Sequence, residues 1–268
     1  VNALNFIVEA LNEVRKRKPL VHNITNFVVM NTTANALLAL GASPVMAHAE
    51  EELEEMIGLA DAVVINIGTL DSWWRKSMIK AVEIANEMKK PIVLDPVGAG
   101  ATKLRTKVAL EILDRGVTVL KGNFGEISSL LGEFGKTRGV DSSEYDEEKA
   151  KVLALSAAKE FNTTVAVTGA VDYVSDGGKV FAIYNGHKLL ERVTGTGCIV
   201  TAITGAFVAV TEPLRAAISS LVVFGIAAEK AYEEAKYPGS FHVKLYDWLY
   251  RIDGEVIRKY AKVREVGV

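Results

Sequence analysis

Two glycines, two threonines and a cysteine are packed into Val193-Thr194-Gly195-Thr196-Gly197-Cys198, which leads straight into an apolar segment, 199–210. Small residues let a chain turn tightly and approach a ligand closely. The apolar segment reads as a buried helix. A glycine-rich turn at a helix start is an anion site. Its first N–H groups have no helical acceptor, and the positive end of the helix dipole points the same way. Phosphoryl transfer needs such a cradle, because charge spreads over the phosphate oxygens in the transition state. Gly195, Thr196, Gly197 and Cys198 are therefore the candidate catalytic residues.

A second group lies at predicted strand ends. Lys121-Gly122-Asn123-Phe124-Gly125-Glu126 puts a lysine, an amide and a carboxylate within one short segment. Lys121 and Asn123 are candidates for holding a phosphate. Glu126, together with Asp95 of Asp95-Pro96-Val97-Gly98-Ala99-Gly100, is a candidate for hydrated magnesium, which takes only one or two carboxylates. The same spacing also fits Asn123 as a helix N-cap with Glu126 in the first turn, and the two readings are compatible. Thr168-Gly169 ends another strand. In His22-Asn23-Ile24-Thr25-Asn26, Asn23 and Thr25 are pocket candidates and Asn26 is a candidate helix cap. Met46 is core, unless it borders a ligand ring that suits its thioether. Trp73-Trp74 packs against a neighbouring element or subunit.

These segments need a scaffold that gathers strand ends. The chain has 268 residues and a formal net charge of -2, with no basic footprint for nucleic acid. Its single cysteine excludes an internal disulfide framework and fits a reducing cytoplasm. The four histidines lack metal-ligand spacing. Residues 1–17 interleave Asn and Glu and do not read as a signal peptide. The apolar segments 199–210 and 216–228 are shorter than a membrane span, so no membrane partner is expected.

Along the chain, helices are expected at 1–18, 26–40, 50–59, 72–89, 104–114, 124–131 and 146–160. Strands are expected at 20–22, 43–47, 62–67, 91–94, 117–121, 164–168, 172–175 and 179–183. Asp176-Gly177-Gly178 favours an antiparallel hairpin between the last two strands. Residues 132–145 read as a surface loop. Three helices, near 197–210, 212–236 and 240–262, close the chain. The order predicts one α/β domain over 1–268, with a doubly wound, mostly parallel sheet and helices on both faces. Ligands bind such sheets at the C-terminal strand ends.

Taken together, the stretches 21–26, 35–46, 66–69, 94–102, 122–126, 167–169, 185–190 and 193–198 resemble the hydroxyethylthiazole kinase family of the ribokinase-like superfamily. They occur in order and at family spacing over most of the chain. The resemblance implies ATP- and Mg²⁺-dependent phosphorylation of the primary alcohol of 4-methyl-5-(2-hydroxyethyl)thiazole in thiamine salvage. Met46 and Gly195 match thiazole-site positions, and Lys121 and Thr168 match ATP-site positions. The family often has Arg where Lys121 stands, and Lys lacks the two-pronged phosphate grip of Arg. Asn123 and Glu126 match the superfamily's N-x-x-E magnesium motif. Cys198 stands where the sugar kinases carry a catalytic aspartate.

A helix start lowers a thiol's pKa from about 8.5, while nearby ATP charge raises it. A base, a hydrogen-bond acceptor and a small pocket residue all stay open as roles for Cys198. No lid insertion is visible between 20 and 67. The resemblance implies a homotrimer, with 23–26 and Met46 of one subunit facing 195–198 of the next. Three alternatives stay open: another ribokinase-like small-alcohol kinase, an ATP-dependent hydrate dehydratase of nicotinamide cofactors, and a non-catalytic nucleotide-binding regulator. Cys198 in place of aspartate argues against the first two. Asp95, Glu126 and the cradle glycines argue against the third.

Overall fold

Strands that are apolar on both faces are stable only between two helical layers. The computed structural model describes residues 3–135 and 146–267. Strands β1 (Leu20–Ile24), β2 (Ser43–Met46), β3 (Ala62–Asn66), β4 (Ile92–Asp95), β5 (Val119–Asn123) and β6 (Thr164–Thr168) run parallel. Strands β7 (Asp172–Ser175), β8 (Val180–Ile183) and β9 (Val263–Val266) extend the sheet by antiparallel pairing. The nine strands lie in the order β2-β1-β3-β4-β5-β6-β7-β8-β9. The chain steps outward from β1 to β2 and returns past it to β3. Winding therefore reverses between β1 and β3.

The helices are α1 (Ala3–Arg17), α2 (Met30–Leu40), α3 (Leu53–Leu59), α4 (Ser72–Glu87), α5 (Lys103–Asp114), α6 (Phe124–Gly135), α7 (Glu147–Phe161), α8 (Thr196–Val208), α9 (Pro213–Glu234), α10 (Pro238–Arg251) and α11 (Gly254–Tyr260). One core joins α1, α2 and α8–α11 to Val21, Val64, Val93 and Val119 of the sheet. The other joins α3–α7 to Val63, Ile65, Leu94, Leu120 and Val165. Neighbouring strand residues thus serve opposite faces, as the pleat requires. Every residue of α8 from Ile199 to Val208 is buried, as expected of a helix apolar all round.

The path from β1 to β3 contains only α2, β2 and α3, without an inserted lid. No helix among the described residues is long and apolar enough to cross a membrane. Several boundaries differ from expectation. The helix read from 26 starts at Met30, and the one read from 50 starts at Leu53. The loop read over 132–145 begins inside α6, and 136–145 lie outside the described residues. The single helix read over 240–262 is α10 and α11, followed by β9. Asp253 breaks it, because its side chain accepts from Glu255 N and Val256 N and starts a new helix.

Candidate active site

Asn66 and Asp95 end adjacent parallel strands, opposite each other in register, and Lys121 lies in the middle of the next strand, β5. All three are buried. The start of α8 closes over them. Its N-cap, Gly195, has φ 81°, and a Cβ there would lie 2.6 Å from Val29 Cγ1, so both backbone and space call for glycine. Lys121 Nζ donates to the carbonyl of Gly197 at 2.9 Å and to Asp95 Oδ2 at 3.4 Å. Thr201, one turn beyond Gly197, donates its hydroxyl to the same Asp95 oxygen at 2.6 Å. Burial pushes the Lys121 ammonium down, but the charges of Asp95, Cys198 and Glu126 outweigh it and raise its pKa. A cation is thereby fixed beneath the helix start.

Cys198 is half-buried next to this pair. Asn26 Nδ2 reaches its sulfur at 3.7 Å and Asn66 Oδ1 at 2.8 Å. Burial, and then the charge of Asp95, push the thiol upward, against Lys121, Asn66 and Asn26. The lowering expected from the helix start does not prevail, and at neutral pH the group is a thiol rather than a thiolate. Since a strong base is not essential to a loose phosphoryl transition state, Cys198→Ala is expected to keep turnover within about 10²-fold of wild type, the low end of an acid–base contribution. Cys198→Asp should be at least partly active. Steady-state rates on folded variants check this; complete loss in both would point to a specific thiol role such as covalent catalysis.

Asn123 and Glu126 form a reciprocal cap at the start of α6. Asn123 Oδ1 accepts from Glu126 N at 2.9 Å, and Glu126 Oε2 accepts from Asn123 N at 2.8 Å. Glu126 Oε1 also accepts from Gly98 N at 2.9 Å. Both oxygens are engaged by backbone, which leaves only their second lone pairs for water. Burial, and then the nearby Asp95, raise the Glu126 pKa. Two neighbouring carboxylates that repel each other would fit a hydrated cation arriving with a ligand. A dedicated cage does not fit, since the described residues contain no cluster of three or more candidate metal ligands.

A cleft of about 760 Å³ opens from this point between the strand ends and α8–α9. Lys121, Asn123, Thr168, Thr196 and Gly197 line it, as do Asp172, Leu221 and Phe224. Thr168 pairs in register with Asn123. Asn23, Thr25 and Met46 lie apart from the cleft. Asn23 and Met46 face each other across β1 and β2, with β2 at the sheet edge. Asn23 is buried, and its Oδ1 has no partner. Thr25 is buried, and its carbonyl accepts from Trp74 Nε1 at 2.8 Å. Trp74 is thus core, while Trp73 is exposed.

Two expectations need correction here. Asn26 does not cap α2: its Oδ1 accepts from Val28 N at 3.0 Å, ahead of the helix start at Met30, while its NH2 is turned to Asn66 and Cys198. It also meets Cys198 within one chain, so 26 and 198 do not need two subunits to come together. Sequence reasoning gives Asn66 and Thr201 no role. The one-turn spacing from Gly197 to Thr201 is the available signal for Thr201.

Asp172 also escapes the sequence reading. It starts β7 half-buried in the cleft wall, and its Oδ1 accepts from Gly169 N at 3.0 Å. Burial pushes its pKa to about 7, against the Gly169 N–H and Lys121. A carboxyl raised in the folded state favours folding less as pH climbs from its unfolded value, about 3.9, through that range. Asp172→Asn keeps an acceptor for Gly169 without the charge. Denaturant titrations should show it equal to wild type near pH 4 and more stable at pH 8, by on the order of 1 kcal/mol. An advantage that does not grow with pH would contradict this.

The sheet order, with a helical layer packed on each face, is that of a ribokinase-like α/β fold. A pyridoxal kinase from Staphylococcus aureus, solved with AMP-PCP and pyridoxal, superposes with a TM-score of 0.68 at 17% identity over 93% of this chain and 99% of that one, a likeness of fold alone. The chain belongs to the hydroxyethylthiazole kinase family, whose model matches residues 11–255. It is 82% identical over 263 residues to a hydroxyethylthiazole kinase of Pyrococcus horikoshii, covering 98% of this chain and 99% of that one. A solved hydroxyethylthiazole kinase structure from the same species has a TM-score of 0.94 at 79% identity, covering 98% of this chain and all 100% of that one.

Proposed function

We propose that this chain transfers the γ-phosphoryl group of ATP to the primary alcohol of 4-methyl-5-(2-hydroxyethyl)thiazole, giving the thiazole phosphate and ADP. The observation that carries this is the Lys121 ammonium, held at 2.9 Å on the Gly197 carbonyl at the start of α8, where both residues line the cleft and Cys198 follows next in the chain. Family membership narrows the acceptor to hydroxyethylthiazole. On this reading 1–268 works as one kinase domain, and its single free thiol suits a reducing cytoplasm.

The triphosphate lies along the cleft past Thr168 and Asn123, with its γ-phosphate at Gly195–Cys198. The N–H groups of this first turn and the Lys121 ammonium hold the transferring oxygens as charge spreads over them. Asp95 and Thr201 keep Lys121 aimed. When bound, Mg²⁺ supplies charge neutralisation at the β- and γ-oxygens, and Asp95 and Glu126 would hold it largely through water. The alcohol faces Cys198, which gives it a neutral polar neighbour. Asn26 fixes that thiol in place.

Water must be kept from the γ-phosphate, and no lid is inserted between β1 and β3 to do so. A homotrimer would supply the cover. Phe27, Val28 and Leu38 around α2, with Val243 and Tyr250 of α10, are large, apolar and exposed, and α2 packs beside α10. Met46 at the open sheet edge would complete the thiazole pocket against the next subunit. Light scattering on active enzyme should return three chains; a fully active monomer would rule out shared cover. The reaction itself is tested by ADP release with hydroxyethylthiazole, pyridoxal, hydroxymethylpyrimidine, a sugar and a hydrated nicotinamide cofactor. Release with the thiazole alone supports the assignment; release only with another compound replaces it.

A further inference from the structure

The far wall of the cleft is the segment Tyr184-Asn185-Gly186-His187, which links β8 to a short 3₁₀ turn, Lys188–Arg192. Residues from distant parts of the chain hold this segment in shape. Glu229 of α9 accepts at Oε1 from Asn185 Nδ2 at 3.1 Å, from Gly186 N at 3.0 Å and from Lys262 Nζ at 3.1 Å. Its Oε2 accepts from Lys262 Nζ at 3.1 Å. Asn185 Nδ2 also donates to the Tyr260 carbonyl at 2.9 Å, and Asn185 Oδ1 accepts from Lys262 N at 2.7 Å. Tyr184 N donates to the Lys262 carbonyl at 2.8 Å. Asn185 is buried, and both hydrogens of its amide are committed to this clamp. α9 also packs directly on the segment: a Cβ at Gly225 would lie 2.6 Å from Asn185 Cβ and 2.7 Å from its carbonyl carbon. Glu229 itself does not line the cleft.

We infer that Glu229 is a positioning residue for the nucleotide: with Asn185 and Lys262 it fixes the 184–187 wall and so sets nucleotide affinity without touching the ligand. The inference rests on the reading that the cleft holds ATP. The C-terminal strand β9 is part of the device, because Lys262 stands at its entrance and ties it to the wall.

The test combines steady-state kinetics with calorimetric titration of ADP. Glu229→Ala leaves Gly186 N and one Asn185 hydrogen without their acceptor and lets the wall move. The KM for ATP and the Kd for ADP should rise about tenfold, the scale of one lost charge-assisted hydrogen bond. The kcat and the KM for the alcohol should stay within about twofold. Glu229→Gln keeps the acceptor and should restore most of the affinity. Lys262→Met removes only a half-exposed ion pair and should raise the KM for ATP about twofold to threefold; it serves if Glu229→Ala does not fold. An unchanged KM for ATP in the folded variants, or a fall in kcat alone from lost active enzyme, would overturn the inference while leaving the nucleotide cleft in place. Failure of the wild-type protein to bind ADP would overturn the cleft reading and the inference with it.

Discussion

Replacing Gly197 by valine is expected to abolish phosphoryl transfer and leave the chain folded. Gly197 lies in the first turn of α8, exposed to the cleft, and its backbone is not left-handed. A Cβ there would sit 3.3 Å from Lys121 Nζ, and on the proposed reading the two methyl groups of valine would crowd the γ-phosphate. Helix formation does not suffer, since valine is the better helix former. Displacing the phosphate by an ångström is enough to cost about 10²-fold in rate, and the loss should be at least that. Circular dichroism together with ADP release checks both halves. Near-wild-type turnover in a folded variant would remove the phosphate from this turn.

Lys121→Met should lower kcat by about 10²- to 10³-fold, the range for removing one donor to charge that develops in a transition state. It should also destabilise the fold. Asp95 would remain buried with only the Thr201 hydroxyl, at 2.6 Å, on its Oδ2. Breaking one side of a buried pair costs about 3–5 kcal/mol. Adding Asp95→Asn should recover much of that stability without restoring turnover. Denaturation curves and kcat at saturating Mg-ATP, measured on the single and double variants, separate the two roles of the lysine. Recovery of both stability and rate in the double variant would mean that Lys121 only neutralises Asp95.

The central strands are legible in the sequence because their apolar, β-branched runs have no alternation, which requires cover on both faces. The burial of α8 and the hairpin at Asp176-Gly177-Gly178 are legible for equally local reasons. What escapes a sequence reading depends on contacts distant along the chain. The start of α2 is misplaced because Asn26 reads as a cap, whereas its Oδ1 accepts from Val28 N before the helix begins and its NH2 is drawn to Asn66 and Cys198, which lie far along the chain. The ninth strand is missed because Val263-Arg264-Glu265-Val266 is short and half charged; it is a strand only because β8 offers an edge. In the candidate site, the glycine turn, Asp95, Lys121 and Glu126 stand out by type and spacing. Thr201 and Asp172 do not, since only the fold brings one to Asp95 and sets the other in the cleft wall. The Glu229–Asn185–Lys262 clamp joins three segments with no pattern in common.

On the proposed mechanism, the start of α8, with Lys121 beneath it, delivers the γ-phosphoryl group to a hydroxyethyl side chain on a thiazole. The most direct measurement is mass-spectrometric and ³¹P analysis of the products from ATP, Mg²⁺ and hydroxyethylthiazole. The expected product is a phosphate monoester on the hydroxyethyl oxygen, formed in equal amount with ADP by the wild type and absent with Gly197→Val. ADP formed with free phosphate and no thiazole ester, or an ester still formed at the wild-type rate by Gly197→Val, would contradict it.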